Sequence, residues 1–104
     1  MNPIKHNKSK HRFELEVEGY TALLQYEMRG AQVALTHTIV PEEAQGRGLG
    51  SSLAEAALEF ARESKLEVVP VCPFVVTYIR RNPEYLELVA ENQRHKIIDE
   101  QQSA

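Results

Sequence analysis

The stretch VPEEAQGRGLGSSLAEAALEFA, from Val40 to Ala61, decides how the rest of the chain is interpreted. Glycines stand at Gly46, Gly48 and Gly50, directly before a run rich in Ala and Leu. Glycine costs roughly 0.5–1 kcal/mol relative to alanine inside regular structure, so these positions require bare backbone. Beyond them, apolar side chains recur at helical spacing: Leu49, Leu53, Ala56, Ala57 and Phe60. The stretch predicts a glycine-rich turn that enters an amphipathic helix.

Three strands are predicted before this stretch and one after it. Apolar and polar side chains alternate from Arg12 to Glu18, from Tyr20 to Met28 and from Gln32 to Val40, with turn residues between the runs. A short apolar run from Leu66 to Cys72 follows the helix. Strands joined by tight turns pair antiparallel, whereas a strand, a helix and a strand form a right-handed parallel crossover. The sequence therefore predicts an antiparallel meander that ends in one parallel pair.

Shorter helices are predicted near the end of the chain. Pro73 is favourable at the first position of a helix in PFVVTYIRR, and Asn82 is a favourable N-cap for a second helix in NPEYLELVAENQ. We therefore expect one α/β domain over residues 12–92, with a mixed four-stranded sheet, a central helix on one face and short C-terminal helices. Residues 1–11 are expected to form a flexible basic arm, and residues 93–104 a polar tail.

Composition argues against several functional classes. A chain of 104 residues is the right length for one domain with a single hydrophobic core. Its net charge of −3 disfavours a main role in binding nucleic acid or an anionic membrane. No apolar run approaches the roughly 20 residues needed to cross a bilayer. Cys72 is the only cysteine, so no internal disulfide can form, and His6, His11 and His95 lack metal-ligand spacing. We expect a cytoplasmic protein that binds neither metal, membrane nor nucleic acid.

The glycine-rich turn has the features of an anion site. Backbone N–H groups lie at the positive end of a helix dipole, and glycines let a phosphate approach without meeting a Cβ atom. Arg47 and Ser51 can add a charge and a hydroxyl group. A P-loop needs a lysine after its last glycine, and a dinucleotide-binding fingerprint needs a third glycine at position 51; both are missing. The turn therefore predicts a pyrophosphate site of another class.

Two blocks of sequence identify a family resemblance. The residues from Gln45 to Gly50 match the Gln/Arg-x-x-Gly-x-Gly/Ala signature of the GNAT N-acetyltransferase superfamily, whose loop binds the pyrophosphate of acetyl-coenzyme A. Together, HTIVPEEAQGRGLGSSL and VVPVCPFVVTYIRRNPEY resemble the small stand-alone GNAT-type proteins of about this length. The resemblance extends from Arg12 to Val89. The chain differs from larger GNAT enzymes because it has no room for the helices between their first two strands.

This resemblance implies an acetyl-CoA-dependent N-acetyltransferase whose acceptor is an amine of a peptide, a lysine or a small molecule. In GNAT folds the strands on either side of the helix diverge, and the pantetheine arm lies between the segments that correspond to His37–Val40 and Val68–Cys72. The implied acetyl-CoA-binding residues are Thr38, Ile39, Val40, Gln45, Gly46, Arg47, Gly48, Leu49, Gly50, Ser51, Cys72, Tyr78 and Arg81. Many GNAT enzymes carry a glutamate base on the strand before the loop, and ALTHTIV has none. A non-catalytic CoA-binding or acyl-CoA-sensing module is therefore the alternative.

Cys72 and His37 are candidates for catalysis, each with a structural alternative. Cys72 precedes a helix start, a setting that favours a reactive thiolate, so it is either a nucleophile that accepts the acetyl group or a small buried residue that lines the cofactor site. His37 shares by alternation the apolar face of Val33, Leu35 and Ile39. It is either the general base or a structural residue of that face.

Tyr78 and two arginines complete the candidates. Tyr78 is either the acid that protonates the leaving thiolate or an amphipathic wall beside the pantetheine. Arg80 and Arg81 either contact the phosphates or complement the negative end of their own short helix.

Overall fold

The computed structural model describes residues 3–102. Its strands are β1 (Lys5–Asn7), β2 (Arg12–Val17), β3 (Tyr20–Arg29), β4 (Gln32–Ile39) and β5 (Glu67–Pro70). Its α-helices are α1 (Leu49–Glu63), α2 (Pro73–Arg81) and α3 (His95–Gln102). Short 3₁₀ helices cover Lys8–Lys10, Glu42–Ala44, Pro83–Leu88 and Glu91–Gln93.

The strands form one mixed sheet in the order β1-β2-β3-β4-β5. Neighbours pair antiparallel from β1 to β4, and β4 pairs parallel with β5. The predicted meander and parallel pair are confirmed. The crossover between β4 and β5 carries α1, as a parallel connection requires.

The sheet has five strands rather than the predicted four, because Lys5–Asn7 pairs with the start of β2. The imidazole of His6 stacks on Phe13 with ring centroids 4.2 Å apart, and a hydrogen bond of 2.6 Å joins its Nε2 to Oη of Tyr26. The prediction of a flexible arm is therefore wrong for this segment. The lysines of this segment suggested a solvated arm, but charged side chains are also common on edge strands.

Helix α1 covers one face of the sheet and forms the core with it. Leu53 and Leu58 are completely buried, and each such leucine contributes about 1.5–3 kcal/mol to folding. Ala54, Ala57 and Ala61 are also completely buried, and their small side chains let the helix lie close to the strands. The strand residues beneath the helix include Phe13, Leu15, Leu24, Val33, Leu35 and Val68.

The segment after α2 departs from the prediction. Asn82 does not cap a following helix; its Nδ2 donates to the carbonyl of Tyr78 at 2.9 Å and so closes the end of α2. The predicted second helix is the 3₁₀ helix Pro83–Leu88, and it ends where Val89 bridges to Val68 in β5. This backbone pairs with the open edge of β5, because the N–H of Ala90 donates to the carbonyl of Val68 at 2.9 Å.

The segment expected to be a polar tail contains α3, and Ile97 on it is buried in the core. The guanidinium of Arg80 donates to the carbonyl oxygens of Lys96 and Ile97, each at 3.2 Å. Among the described side chains of α3, Ile97 and the partly buried Ile98 pack against the core, and the bonds from Arg80 attach the start of the helix to α2.

Candidate functional site

A β-bulge in β4 sets the direction of the side chains around the site. Gln25 of β3 pairs with His37 and the next residue of β3 pairs with Leu35, so Thr36 has no partner across the ladder. The hydroxyl of Thr36 donates to the carbonyl of Gln25 at 3.1 Å. One extra residue reverses the alternation of faces, because the side-chain period of a strand is two.

The bulge corrects the prediction for His37. Leu35 faces α1, but His37 lies on the opposite face of the sheet and is exposed, so it does not share a face with Val33 and Leu35. Thr38 pairs with the buried Leu24 and therefore returns to the α1 face. The prediction assumed an uninterrupted strand, and a bulge leaves no signal in the local sequence.

The pairing between β4 and β5 ends at Leu35 and Pro70, a point called here the fork. The N–H groups of Val71 and Cys72 both donate to the carbonyl of Leu35, at 3.1 and 2.9 Å. Beyond the fork β4 continues to Ile39 without β5 beside it. The divergence that the family resemblance implies is present, and an extended ligand can add to this free edge as a strand would.

The glycines of the loop serve two different needs. Gly46 and Gly48 have φ values of +85° and +74°, which lie in the left-handed region that favours glycine. Gly50 is helical, and a Cβ atom there would lie 2.8 Å from Cζ of Phe74. Two glycines therefore shape the turn, and the third makes room for an aromatic ring.

The start of α1 presents backbone donors with no side-chain cap. Gly48 is the N-cap residue, and the N–H of Ser52 makes the first helical bond, to the carbonyl of Gly48 at 3.1 Å. The preceding N–H groups of a helix have no partner within it. No acidic side chain lies in the first turn to take them. Together with the helix dipole they form a site for a phosphate or another anion.

An open cavity of about 510 Å³ joins these backbone donors to the free edge of β4. Its lining residues are Thr38, Ile39, Val40, Ala44, Gln45, Gly46, Gly48, Leu49, Gly50, Ser51 and Phe74. The structure thus brings together the predicted binding residues of β4 and the loop, apart from Arg47. Ala44 and Phe74 were not predicted, although the glycine at position 50 is a signal for a close neighbour such as Phe74.

Arg47 and Arg81 lie away from this first cavity. Arg47 lines a smaller neighbouring cavity with residues of β2, and its guanidinium lies 2.9 Å from the carboxylate of Glu18. Both partners are largely exposed, so this pair contributes at most about 1 kcal/mol to stability. Arg81 is exposed in the last turn of α2, where it complements the negative end of the helix.

Cys72 lies immediately behind the wall of the first cavity. Its thiol donates to the hydroxyl of Thr38, with 3.4 Å between sulfur and oxygen, and its side chain is only 6% exposed. Cys72 is the N-cap residue of α2, as expected, and it makes no side-chain capping bond.

Tyr78 lies on α2 one turn beyond Phe74, on the side that faces α1. Burial raises the pKa of its phenol, and the carboxylates of Glu55, Glu84 and Glu59 raise it further. A raised pKa makes the phenol a weaker acid, and Tyr78 is not among the described residues that line the first cavity. The neighbouring Tyr85, with ring centroids 6.1 Å apart, donates from its hydroxyl to Glu59 at 2.9 Å.

Within the residues that the structure describes, no group of three histidine, cysteine, aspartate or glutamate side chains is placed to hold a metal ion. Across that same part of the chain, the helices are too short or too polar to traverse a bilayer.

Comparison with known proteins places these features in a family. Residues 12–88 match the family model of the GCN5-related N-acetyl-transferase. Protein NATD1 of Mus musculus is 35% identical over 89 residues, which cover 81% of this chain and 81% of that protein. Protein NATD1 of Homo sapiens is 35% identical with coverage of 81% and 79%. The NMR solution structure of a GCN5-like protein from Staphylococcus aureus superposes with a TM-score of 0.67 at 25% identity, covering 85% of this chain and 87% of that one.

Proposed function

Because the chain belongs to the GCN5-related N-acetyltransferase family, we propose that it transfers an acetyl group from acetyl-CoA to an amine. The observation that carries this proposal is the continuity of the first cavity, which connects the donor groups of the α1 N-terminus to the free edge of β4. A ligand with a pyrophosphate at one end and an extended amide-containing arm at the other matches both features. Acetyl-CoA has this form.

The phosphate end of the ligand fits the loop. The left-handed backbone at Gly46 and Gly48 turns successive N–H groups outward, and the absence of Cβ atoms there leaves space for phosphate oxygens. Ser51 lines the same cavity with its hydroxyl. Arg47 adds positive charge nearby once its exposed pair with Glu18 is exchanged for a phosphate.

The arm of the ligand fits the fork. Between the bulge and Ile39 the edge of β4 has no strand beside it, so its outward backbone groups can pair with the amides of a pantetheine. Phe74, which is 40% exposed, supplies an apolar wall at this side of the cavity.

The bound donor supplies a thioester whose carbonyl carbon reacts with an amine, and the protein contributes mainly by positioning the two partners. We assign His37 as the base, because its imidazole is exposed beyond the fork and can accept a proton from the acceptor amine. Tyr78 is proposed as the proton donor to the leaving thiolate, because it lies on α2 one turn beyond Phe74, which lines the first cavity. The burial of Cys72 and its bond to Thr38 favour a role in lining the site over one in carrying the acetyl group.

Calorimetric titration of the full chain with acetyl-CoA and with CoA tests the proposal, followed by measurement of CoA release in the presence of amines. We expect binding of both nucleotides and release of CoA only when an acceptor is present. If neither nucleotide binds, the proposed function is wrong.

A non-catalytic acyl-CoA-binding module is the second candidate, and the lining of the first cavity favours it in one respect. No carboxylate is among the described residues that line this cavity, so the base that many relatives place on this strand is replaced by His37 or is missing. Tight binding of acetyl-CoA without CoA release over a broad panel of amines would support this second function.

A further inference from the structure

A second cavity of about 530 Å³ lies on the other side of α2. It is lined by Pro70, Val71, Pro73, Val76, Thr77, Arg80, His95 and Lys96. Nothing in the proposed binding of acetyl-CoA uses these residues apart from the backbone near Pro70. We propose that this second cavity binds the acceptor and that the acceptor is a small amino carboxylate with an apolar body. This inference rests on the proposed acetyl transfer.

Helix α2 separates the two cavities. The stripe formed by Pro73, Val76, Thr77 and Arg80 faces the second cavity, at the spacing of one helical face. On the opposite side of the helix, Val75 and Ile79 are completely buried in the core and Phe74 lines the first cavity. A ligand in each cavity would therefore approach the same short helix from opposite sides.

The two cavities approach each other at the fork. The backbone N–H groups of Val71 and Cys72 share the carbonyl of Leu35, so both residues are fixed at the point where β4 and β5 separate. Cys72 points toward Thr38 at the wall of the first cavity, whereas Val71, which is 45% exposed, lines the second. This short stretch of backbone divides the two cavities along the chain.

The bulge also decides where His37 lies relative to the fork. Val69, the β5 residue that pairs with Ala34, lies on the face of the sheet away from α1. His37 also lies on that face because of the extra residue at Thr36. The second cavity begins at Pro70 and Val71, so an acceptor in it would extend its amine past the fork toward the assigned base.

The residues that line the second cavity favour a ligand that carries a negative charge. Its walls are the apolar side chains of two prolines and two valines, and its ionisable groups are Arg80, His95 and Lys96. No carboxylate is among its described lining residues, although the chain as a whole has a net charge of −3. The bonds from Arg80 to the carbonyls of Lys96 and Ile97 hold a permanent positive charge at the rim.

The positive charge at the rim of the second cavity discriminates between classes of amine acceptor. A polyamine carries positive charge along its whole length and would be repelled from the rim, whereas a carboxylate is attracted to it. The cavity volume lies within the roughly 300–1,000 Å³ range of small-molecule sites, so an apolar amino acid or a dipeptide is of suitable size.

During transfer the nitrogen of the acceptor bonds to the acetyl carbon as the carbon–sulfur bond breaks. The sulfur keeps the electron pair and takes a proton, and the nitrogen gives one proton to the base.

The test compares leucine with 3-methylbutylamine, which has the same apolar body and amine but no carboxylate, and with spermidine. With acetyl-CoA saturating, we expect KM for leucine to be at least about tenfold lower than for either amine, a difference of about 1.4 kcal/mol. Lys96→Glu should remove this preference while leaving the Kd of acetyl-CoA unchanged. Lys10→Glu, which makes the same charge change on an exposed residue far from the cavity, should leave the preference unaffected.

A titration that needs no turnover separates this inference from the proposed function. NMR signals of the Val71 and Val76 methyl groups should shift with leucine and remain in place with spermidine, and Lys96→Glu should abolish the leucine shifts. If leucine shifts these signals while acetyl-CoA fails to bind, the proposed transfer is wrong and the amino-carboxylate site stands. Equal affinity for leucine and 3-methylbutylamine, or a weakened acetyl-CoA complex in Lys96→Glu, would overturn the inference.

Discussion

The glycine loop between β4 and α1 and the fork between β4 and β5 are neighbours in space, but they are specified in different ways. The loop adopts its shape because Gly46 and Gly48 can enter left-handed backbone that other residues avoid. The fork arises from pairing between distant segments: an extra residue at Thr36 and the two N–H groups that share the carbonyl of Leu35. Local sequence therefore fixes the shape of the turn at which we propose that the phosphates bind. Tertiary pairing fixes the direction of the side chains that we propose to react.

The fork is tested most directly at His37. We expect His37→Gln to lower kcat by roughly a hundredfold, because a positioned general base contributes about that much or more. The Kd of acetyl-CoA should stay the same, since the imidazole lies on the face away from Thr38. Steady-state kinetics and calorimetry measure the two effects separately.

His11→Asn is the matched control for His37→Gln. His11 is an exposed histidine that lies far from His37 in the sequence. Its φ is 53°, and asparagine tolerates that backbone conformation. The control should keep full activity. If His37→Gln turns over at the rate of the control, the base lies elsewhere.

The loop is tested by a pair of glycines with the same backbone. Gly46 and Gly19 both have a φ of +85°, and a Cβ atom added at either position would have no neighbour within 4 Å. A valine at either position is strained by about 1–2 kcal/mol or more. We expect Gly46→Val to weaken acetyl-CoA binding by tenfold or more, at about 1.4 kcal/mol per tenfold, and Gly19→Val to lose stability without losing affinity. Equal affinities in the two variants would show that the loop does not hold the phosphates.

Gly50 connects the loop to the wall near the fork, and its substitution should produce a smaller effect. Alanine there gains helix propensity of about 1 kcal/mol, which offsets part of the clash with the Phe74 ring. Because the contact is made by the outer end of a partly exposed ring, the ring can move aside. We expect Gly50→Ala to change the unfolding free energy by less than about 1 kcal/mol and to weaken acetyl-CoA binding several-fold.

The double variant Gly50→Ala with Phe74→Leu identifies the cause. If the displaced ring is responsible, the alanine should have little further effect on affinity once Phe74 is leucine. If the affinity loss of the double variant equals the sum of the losses in the two single variants, Gly50 and Phe74 act independently.

The smallest effect is expected from Tyr78 of α2. The native pKa of Tyr78 is raised by burial and by three glutamates, so the folded protein holds this proton more tightly than the unfolded chain does. The stabilising contribution is complete below the unfolded pKa of about 10 and is lost as the pH rises through the higher native pKa. Urea unfolding should therefore show a smaller alkaline loss of stability in Tyr78→Phe than in the wild type. An unchanged alkaline loss would remove Tyr78 as its source.

Sequence reasoning succeeded where local chemistry determines structure. The alternation of apolar and polar side chains, the glycine spacing and the helical repeat of the Leu49–Phe60 stretch were enough to predict the order of the strands and α1. It failed at Thr36, because the residue that bulges is decided by pairing with β3 rather than by its own type. Phe74 was missed for a related reason: its contact with Gly50 joins two helices that are far apart in sequence.

The N-terminal strand was missed because its composition is that of a solvated segment. Lys5 and its basic neighbours suggest a disordered arm, but His6 has an aromatic environment that includes Phe13 and Phe60. That environment is created only when the sheet and α1 are assembled, so it cannot be read from the segment alone.

Strand β1 lies before Arg12, where the match to the family begins. It hydrogen-bonds along the outer edge of β2, and the His6 ring covers part of the aromatic cluster of Phe13, Tyr26 and Phe60. A chain that begins at Arg12 would keep the residues that line both cavities but expose an unpaired β-edge beside apolar rings, which is the arrangement that promotes edge-to-edge aggregation. Resistance to aggregation therefore depends on a three-residue strand that precedes the family match and lines neither the first nor the second cavity.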